Sequence, residues 1–294
     1  MSTPSILILG LGELGKAVLD GITAHPHKGN TRVAVLTRTA SKDHHLAERN
    51  VENLTGDVVN DSEEKLIALF RPFHTVVSCN GMTLPPETQV KLTRIALQSG
   101  IKRYFPWQFG VDYDVIGPNS SQHLFTTQLE VRAMLRSQAQ MKWVIVSTGM
   151  FTSFLFEPSL GIVNKERTTV TAIGSWDNSI TVTSPEDIGT LTAELALSCP
   201  EVEGVVYTAG DTVSMQRLAD VVEQMTLNQI KRELRTVSQL KGELAADPEN
   251  GMLKYRVVFG EGVGVAWDQS ATFNARRGMK LESVDDWARA NLCS

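Results

Sequence analysis

The sequence predicts an α/β protein with a doubly wound parallel sheet and a smaller second lobe. Short runs of β-branched residues alternate with helical stretches through the first half of the 294-residue chain, as in successive βαβ units. A glycine-rich turn follows the first run, and beyond residue 150 the connections lengthen and mix α and β signals. We therefore expect one domain over residues 1–150 and a smaller C-terminal α/β lobe over residues 151–294, interwoven with the first.

Six strands and four helices are predicted in the first half. The predicted strands are Ser5–Leu9, Arg32–Thr37, Val51–Leu54, His74–Ser78, Ile101–Phe105 and Lys142–Ser147. The predicted helices are Glu13–Ile22, Asp61–Phe70, Glu87–Ser99 and Leu124–Ser137. Gly100 is placed to end the third helix. Strands with such continuous apolar runs are typical of a parallel sheet that helices cover on both faces.

The second half carries fewer clear elements. Ser184 followed by Pro185 predicts the start of a helix, because serine favours the N-cap and proline the first helical position. A strand is predicted over Val205–Thr208 and a helix over Ser214–Met225. A short amphipathic helix is predicted over Ser283–Leu292, with its first serine as N-cap.

Composition excludes several classes of partner. The formal net charge of −5 provides no basic footprint for nucleic acid or for an anionic membrane. No apolar run approaches the 18 or so residues that a membrane span needs. Cys79, Cys199 and Cys293 are odd in number and lack metal-ligand spacing, which suits a reducing compartment and predicts no metal site. We expect a cytoplasmic monomer or homodimer that acts on a small molecule.

A dinucleotide site is predicted at the first turn of the chain. The turn directly follows a predicted strand, opens a predicted helix, and reads Gly10, Leu11, Gly12, Glu13, Leu14 and Gly15. The first glycine permits a tight turn, the second lets the backbone approach a pyrophosphate, and the third allows close packing of helix and strand. Unpaired amides and the helix dipole then hold the anion. The sheet is therefore predicted to be of the Rossmann type.

The end of the second predicted strand favours NADPH over NADH. A site for NADH normally has Asp or Glu there, about 20 residues past the glycines, to bind the ribose 2′-hydroxyl. This chain has Thr37 and Arg38 at that point, Lys42 nearby, and no acid before Asp43. A guanidinium binds a 2′-phosphate in a bidentate way, whereas a carboxylate repels it. The predicted cofactor is therefore NADPH (NADP).

The ends of strands four and five are expected to line the same site, because doubly wound sheets bind ligands at the carboxyl ends of their strands. Asn80 and Gly81 follow strand four, and Gln108 and Phe109 follow strand five. Cys79 is interpreted as a buried apolar thiol, since the sequence offers it no base.

Aromatic side chains are concentrated around two of these strand ends. They are Met150, Phe151, Phe154 and Phe156 beyond strand six, and Trp107, Tyr113 and Phe125 around the strand-five loop. They are interpreted as candidates for an apolar pocket over the nicotinamide, although core packing accounts for such residues equally well.

Three segments carry a family resemblance: residues 10–15, residues 37–39 and, above all, Lys102–Asp114. Together they resemble the isoflavone reductase and phenylcoumaran benzylic ether reductase group of atypical short-chain dehydrogenases, with NmrA-like proteins as more distant relatives. The resemblance implies a Rossmann domain with a small C-terminal substrate lobe, NADPH as cofactor, and aromatic or phenylpropanoid-like substrates of specialised metabolism. It implies that Arg38 and Lys42 bind the 2′-phosphate, and that Gly149, Met150 and Phe151 border the nicotinamide.

One departure from this group concerns the proton chemistry. Reductases of the group carry a lysine in the helix after the strand-five motif, and its position here is Gln128. No tyrosine of the chain has a lysine four residues later, so the common YxxxK pair is also absent. Candidate catalytic residues are Gln128 itself, Tyr113 and His123. Glutamine forms hydrogen bonds but does not change charge near neutral pH, so water is a further candidate source of the proton.

The sequence therefore favours an NADPH-dependent reductase of a small aromatic or conjugated carbonyl compound. Two alternatives stay open. One is an NADP(H)-binding redox-sensing regulator of the NmrA type, which the missing lysine favours. The other is a non-redox isomerase, dehydratase or cyclase on the same fold.

Overall fold

The computed structural model describes residues 4–39, 45–81, 84–120, 124–227 and 229–292. The chain forms two compact units. Unit 1 comprises Met1–Phe109, Thr127–Val146 and Pro185–Val206, and unit 2 comprises Gly110–Thr126, Ser147–Ser184 and Tyr207–Ser294. Each unit is thus built from three segments of the chain. The two units are therefore more interwoven than the single predicted boundary after residue 150 indicates. The assignment of cofactor and substrate binding to the two lobes stays a prediction.

Strands and helices both occur throughout the described residues. The strands are β1 (Ser5–Leu9), β2 (Arg32–Thr37), β3 (Val51–Thr55), β4 (Thr75–Ser78), β5 (Arg103–Phe105), β6 (Lys142–Ser147), β7 (Met150–Phe151), β8 (Thr169–Ile173), β9 (Ser179–Thr183), β10 (Gly204–Tyr207), β11 (Asp211–Ser214) and β12 (Lys231–Arg235). The helices are α1 (Glu13–Ala24), α2 (His45–Glu48), α3 (Glu63–Phe70), α4 (Glu87–Ser99), α5 (Tyr113–Ile116), α6 (Thr126–Arg136), α7 (Pro185–Leu197), α8 (Met215–Thr226), α9 (Val237–Ala246), α10 (Gly251–Glu261), α11 (Phe273–Arg276) and α12 (Val284–Leu292).

The main sheet confirms the predicted fold class. It has seven strands in the order β10-β6-β5-β4-β1-β2-β3, and β1 to β6 pair in parallel. The order of β1 to β6 is the doubly wound Rossmann order, with its switch point between β1 and β4. The prediction of six strands was one short, because the strand predicted over Val205–Thr208 joins the edge of this sheet as β10.

Alternating side chains of the sheet strands build the core of unit 1. Leu7 and Leu9 of β1 are fully buried in a cluster that α3, α4 and α6 help to fill. Ile6 and Ile8 alternate with them and are equally buried. Because successive side chains of a strand point to opposite faces, β1 is covered on both sides, which explains its continuous apolar sequence.

Helices α1 and α7 cross at two glycines. A Cβ added to Gly21 would lie 2.4 Å from the Gly189 carbonyl oxygen, and one added to Gly189 would lie 2.1 Å from the Ala17 oxygen. The helices therefore touch backbone to backbone. This contact was not predicted, because an isolated glycine within a helical pattern often has no packing role and only lowers the stability of the helix.

A buried arginine of β5 holds the end of α7. Arg103 is 2% exposed and donates to the carbonyl oxygens of Leu195, Cys199 and Val202 at 2.7–3.0 Å. These carbonyls lie in and after the last turn of the helix, where backbone acceptors have no intrahelical partner. A cation at this end also complements the helix dipole.

Unit 2 contains two smaller sheets. In the first, β9 pairs antiparallel with β11 and parallel with β7, and in the second β12 pairs parallel with β8. The last predicted helix is present as α12. Its N-cap is confirmed, because the Ser283 hydroxyl accepts from the Asp286 amide at 3.1 Å and donates to its carboxylate at 2.7 Å. In unit 1, Gly100 ends α4 with a φ of 77°, as predicted.

The crossing of α1 and α7 gives the first testable prediction. Gly21→Ala is expected to lower the free energy of unfolding by about 1–3 kcal/mol, because the two helices must separate to admit the methyl group. Urea denaturation measures this change. Gly242→Ala in α9 is the matched control, since no heavy atom lies within 4 Å of its added Cβ; it should be neutral or stabilise by up to about 1 kcal/mol. Equal midpoints for Gly21→Ala and wild type would contradict the backbone contact.

Candidate functional site

The glycine turn lies at the switch point of the main sheet. The Gly10 amide donates to the Leu36 carbonyl at the end of β2, at 2.9 Å, and Gly10 has a φ of 87°. A Cβ added to Gly15 would lie 2.1 Å from the Gly10 oxygen. The first glycine therefore permits the turn, and the last permits α1 to begin directly against it.

The middle glycine of the motif faces open space. No heavy atom lies within 4 Å of a Cβ added to Gly12, and this residue is the N-cap of α1 without a side-chain cap. The first-turn residues Glu13 and Leu14 follow it, the former exposed and the latter buried, and Leu11 is partly buried. An uncapped helix end beside an open backbone fits a pyrophosphate group, so the turn fits a dinucleotide.

Among the residues that the structure describes at the tip of β2, one is an exposed cation. The Thr37 hydroxyl lies 2.7 Å from the Thr39 carbonyl oxygen and 3.0 Å from Asn53 Oδ1, and its one proton is shared between these two acceptors. Arg38 follows it and is exposed. Asp57, beyond β3, lies close enough for Arg38 to help lower the pKa of its carboxyl, although hydrogen bonds from Asn60 are the main cause. This carboxylate is thus held within its own loop.

The tip of β4 closes over the glycine turn. A Cβ added to Gly10 would lie 1.6 Å from Asn80 Oδ1, so the Asn80 amide lies directly on the turn. A Cβ added to Gly81 would lie 1.7 Å from the ring of Trp107. Cys79, next to them, is buried, and burial raises the pKa of its thiol, in agreement with an inert cysteine.

The loop after β5 is clamped to α6 by a buried polar pair. The Gln108 side chain is fully buried; its Nε2 donates to the Gln128 carbonyl at 2.8 Å, and its Oε1 accepts from Arg132 Nε at 2.8 Å. The Gln108 backbone N–H donates to the Pro106 carbonyl at 2.8 Å, so only the Gln108 carbonyl oxygen is left to meet a ligand. The adjacent Phe109 is 7% exposed. The clamp fixes the first turn of α6, where Gln128 lies.

Gln128 carries an unsatisfied acceptor. Its side chain is 8% exposed, and its Oε1 is buried without a hydrogen-bond partner in the described part of the chain. A buried amide oxygen without a partner costs about 1–3 kcal/mol, so such an atom points to a ligand or water.

Three further predicted residues belong to unit 2. Tyr113 opens α5 and is 5% exposed, with its ring 4.7 Å from that of Phe125. Met150 and Phe151 form β7, which pairs with β9. Two other predicted residues, Lys42 and His123, lie outside the described residues.

Two residues of this region were missed by the sequence analysis. Asp57 was overlooked because the search for an acid stopped on β2, although a parallel neighbouring strand ends at the same edge of the sheet. Arg132 was overlooked because a charged residue in an amphipathic helix is usually solvated. Its position four residues after Gln128, on the same face of α6, was the available signal.

Fold and glycine turn together define a Rossmann-type α/β protein. The sequence profile of the NmrA-like family matches residues 2–285, so the chain belongs to the NmrA-like family. An NmrA-like family domain-containing oxidoreductase from Gibberella moniliformis is 40% identical over 296 residues, covering 97% of each chain. Phenylcoumaran benzylic ether reductase Betv6 from Betula pendula is 26% identical over 211 residues, which is 69% of this chain and 67% of its own.

Solved structures show the same fold. An isoflavone reductase superposes with a TM-score of 0.79 at 18% identity, covering 98% of this chain and 99% of the other. An NADPH-dependent quinone oxidoreductase from Escherichia coli, complexed with NADPH, gives a TM-score of 0.75 at 17% identity, covering 98% and 100%. The predicted resemblance to the isoflavone reductase group is confirmed. No helix of the described residues is long and apolar enough to span a membrane.

Substitutions at two glycines of the turn should distinguish effects on nucleotide binding from effects on stability. Gly12→Ala is expected to weaken NADPH binding at least about tenfold, because its methyl group occupies the open space at the helix start. Its stability should stay within about 1 kcal/mol of wild type. Gly15→Ala should instead lower the free energy of unfolding by about 1–3 kcal/mol, since its methyl group meets the Gly10 carbonyl. Calorimetric titration and urea denaturation measure the two effects. Unchanged NADPH affinity in Gly12→Ala would contradict this placement.

Proposed function

We propose that the protein is an NADPH-dependent reductase of a small aromatic or conjugated carbonyl compound. The proposal rests chiefly on one observation, the exposed Arg38 at the tip of β2 beside an uncapped, glycine-lined start of α1. Membership of a family that includes a 40% identical oxidoreductase supports a redox role.

Each part of the cofactor has candidate ligands in unit 1. The amides at Gly12 to Gly15 would hold the pyrophosphate, and Thr37 and Arg38 the 2′-phosphate. Lys42 remains a further predicted ligand of that phosphate. Asn80 and Gly81 lie over the turn and would border the ribose and nicotinamide side. Met150 and Phe151 remain predicted neighbours of the nicotinamide. When bound, NADPH supplies the hydride, and the protein orients it.

Gln128 restricts the kind of substrate. Its amide does not release a proton near neutral pH, and its neighbours Gln108 and Arg132 are hydrogen-bonded to each other in the clamp. The reaction should therefore need little acid catalysis from this position. That requirement fits a substrate that is already electrophilic, such as a quinone, an enone or an iminium. Tyr113, His123 and water remain the candidate proton donors.

A second candidate function is a redox-sensing regulator that binds NADP(H) without turnover. The glutamine at position 128 favours it, because a sensor needs the cofactor site but no proton relay. The two candidates differ in whether NADPH is consumed when a substrate is present.

Arg38 should determine the cofactor preference. Wild type is expected to bind NADPH at least about tenfold more tightly than NADH, because a charge-assisted contact contributes about 1.5–3 kcal/mol. Arg38→Ala should remove most of this difference in fluorescence titrations. Arg32→Ala is the matched control: it removes the same charge at the opposite end of β2, where Arg32 pairs with Glu52 at 2.7 Å. Equal affinities of wild type for both cofactors would refute the assignment.

Gln128→Leu tests the role of the amide in turnover. With 1,4-naphthoquinone as probe, the absorbance of NADPH should fall in proportion to product formed. The variant should keep kcat within about tenfold of wild type and leave NADPH affinity unchanged, because Gln128 Oε1 has no partner within the described residues and at most one hydrogen bond to the substrate is lost. Its kcat should also show no new pH dependence between about pH 6 and 9. Loss of turnover with intact binding of both ligands would assign the amide a direct catalytic role. NADPH bound but never consumed would favour the regulator.

A further inference from the structure

Gln89 carries a buried amide into the core of unit 1. It lies in the first turn of α4 and is 4% exposed, although this helix supplies Leu92 and Ile95 to the apolar cluster of the core. Burying an amide costs free energy unless its polar atoms form hydrogen bonds. The Gln89 Nε2 donates to the carbonyl oxygen of Asn80 at 2.7 Å. A side chain of α4 therefore holds the backbone of the loop that follows β4.

This hydrogen bond fixes the orientation of the peptide bond between Asn80 and Gly81. The peptide bond is trans and planar, so its carbonyl and its N–H point in opposite directions. Because the carbonyl points to α4, the Gly81 N–H points away from α4. Within the described residues this N–H donates to no acceptor, whereas the Gly81 carbonyl accepts from the Leu84 amide at 3.0 Å. The loop thus has a backbone donor available to a ligand.

The Gly81 N–H points toward the face of the sheet on which α1 begins. From β1 the chain passes to β2 in one direction along the sheet, and from β4 it passes to β5 in the other. Right-handed crossovers therefore place α1 and α4 on opposite faces. The same loop also touches the glycine turn, because a Cβ added to Gly10 would lie 1.6 Å from Asn80 Oδ1. The Gly81 N–H and the amides at the start of α1 thus lie at the same edge of the sheet.

We propose that Gln89 is a positioning residue of the nucleotide site: by holding the Asn80 carbonyl, it presents the Gly81 N–H to an oxygen atom of the bound nucleotide. Gln89 acts through the peptide plane and does not touch the nucleotide itself. Without its hydrogen bond the plane can rotate and turn a carbonyl oxygen toward the nucleotide, and Gly81 has no side chain that resists this rotation. The inference rests on the proposed NADPH site.

Gln89→Leu tests the proposal, because it keeps most of the side-chain volume and removes the donor. The dissociation constant for NADP⁺ should rise about threefold to tenfold, the effect of one hydrogen bond between Gly81 and the nucleotide. Calorimetric titration measures it. Ser99→Ala is the matched control, since it removes a buried hydrogen bond at the other end of α4, from the Ser99 hydroxyl to the Ala96 carbonyl at 2.9 Å. It should leave the dissociation constant within about twofold of wild type.

Gln89→Glu adds a readout that a loss of stability alone does not produce. A protonated carboxyl group donates to the Asn80 carbonyl as the amide does, whereas a carboxylate repels it. Burial favours the protonated form, so the ratio of the variant's dissociation constant to that of wild type should fall as the pH is lowered from about 8 to 5.5. The ratio removes the titration of the nucleotide's own phosphate, and circular dichroism checks that both proteins stay folded. This variant carries the test if Gln89→Leu does not fold.

The outcomes separate this inference from the proposed function. Dissociation constants equal to wild type in both Gln89 variants at every pH would overturn the positioning role and leave the reductase intact. An equal loss of affinity in Ser99→Ala would also overturn it, because a general effect on α4 would then explain both variants. Wild type that binds no NADP⁺ would overturn the inference together with the cofactor placement. Gln89-dependent binding of NADP⁺ without NADPH consumption would support the inference and reject the reductase.

Discussion

Close contact of helix α1 with other backbone is the constraint on which unit 1 depends. At its start, Gly15 lies against the Gly10 carbonyl, and further along Gly21 lies against Gly189 of α7. No side chain fits at either place, so α1 has little freedom to shift relative to the backbone that it contacts. The same placement directs the uncapped amides of its first turn into open space at Gly12. Packing and the proposed anion binding would therefore share one helix.

The arginines of unit 1 differ in burial and in their hydrogen bonds to the protein. Arg103 and Arg132 are buried and hold, respectively, the end of α7 and the loop after β5. Arg38 is exposed just beyond the carboxyl end of β2, and the nearby Asp57 carboxylate is bonded within its own loop. A phosphate that binds there thus meets a cation that is not already committed to a buried contact. Gln128, held by the clamp, adds polarity without adding charge.

The sequence predicted the bounds of an element best where its local sequence pattern matches its place in the fold. The bounds of β1, β2, α4 and β6 were predicted to the residue, because period, glycine and capping signals agree there. It missed α9 and α10, where apolar residues show little helical periodicity, and it placed β10 outside the main sheet. Long-range contacts were also beyond its reach: the Gly21–Gly189 crossing and the Arg132 clamp join residues far apart in the chain.

A crystal structure determined after soaking with NADP⁺ tests the central claim most directly. The account predicts a pyrophosphate within hydrogen-bond distance of the amides at the start of α1, and a 2′-phosphate within about 3 Å of the Arg38 guanidinium. A nucleotide bound elsewhere, or bound with its 2′-phosphate directed away from Arg38, would contradict it.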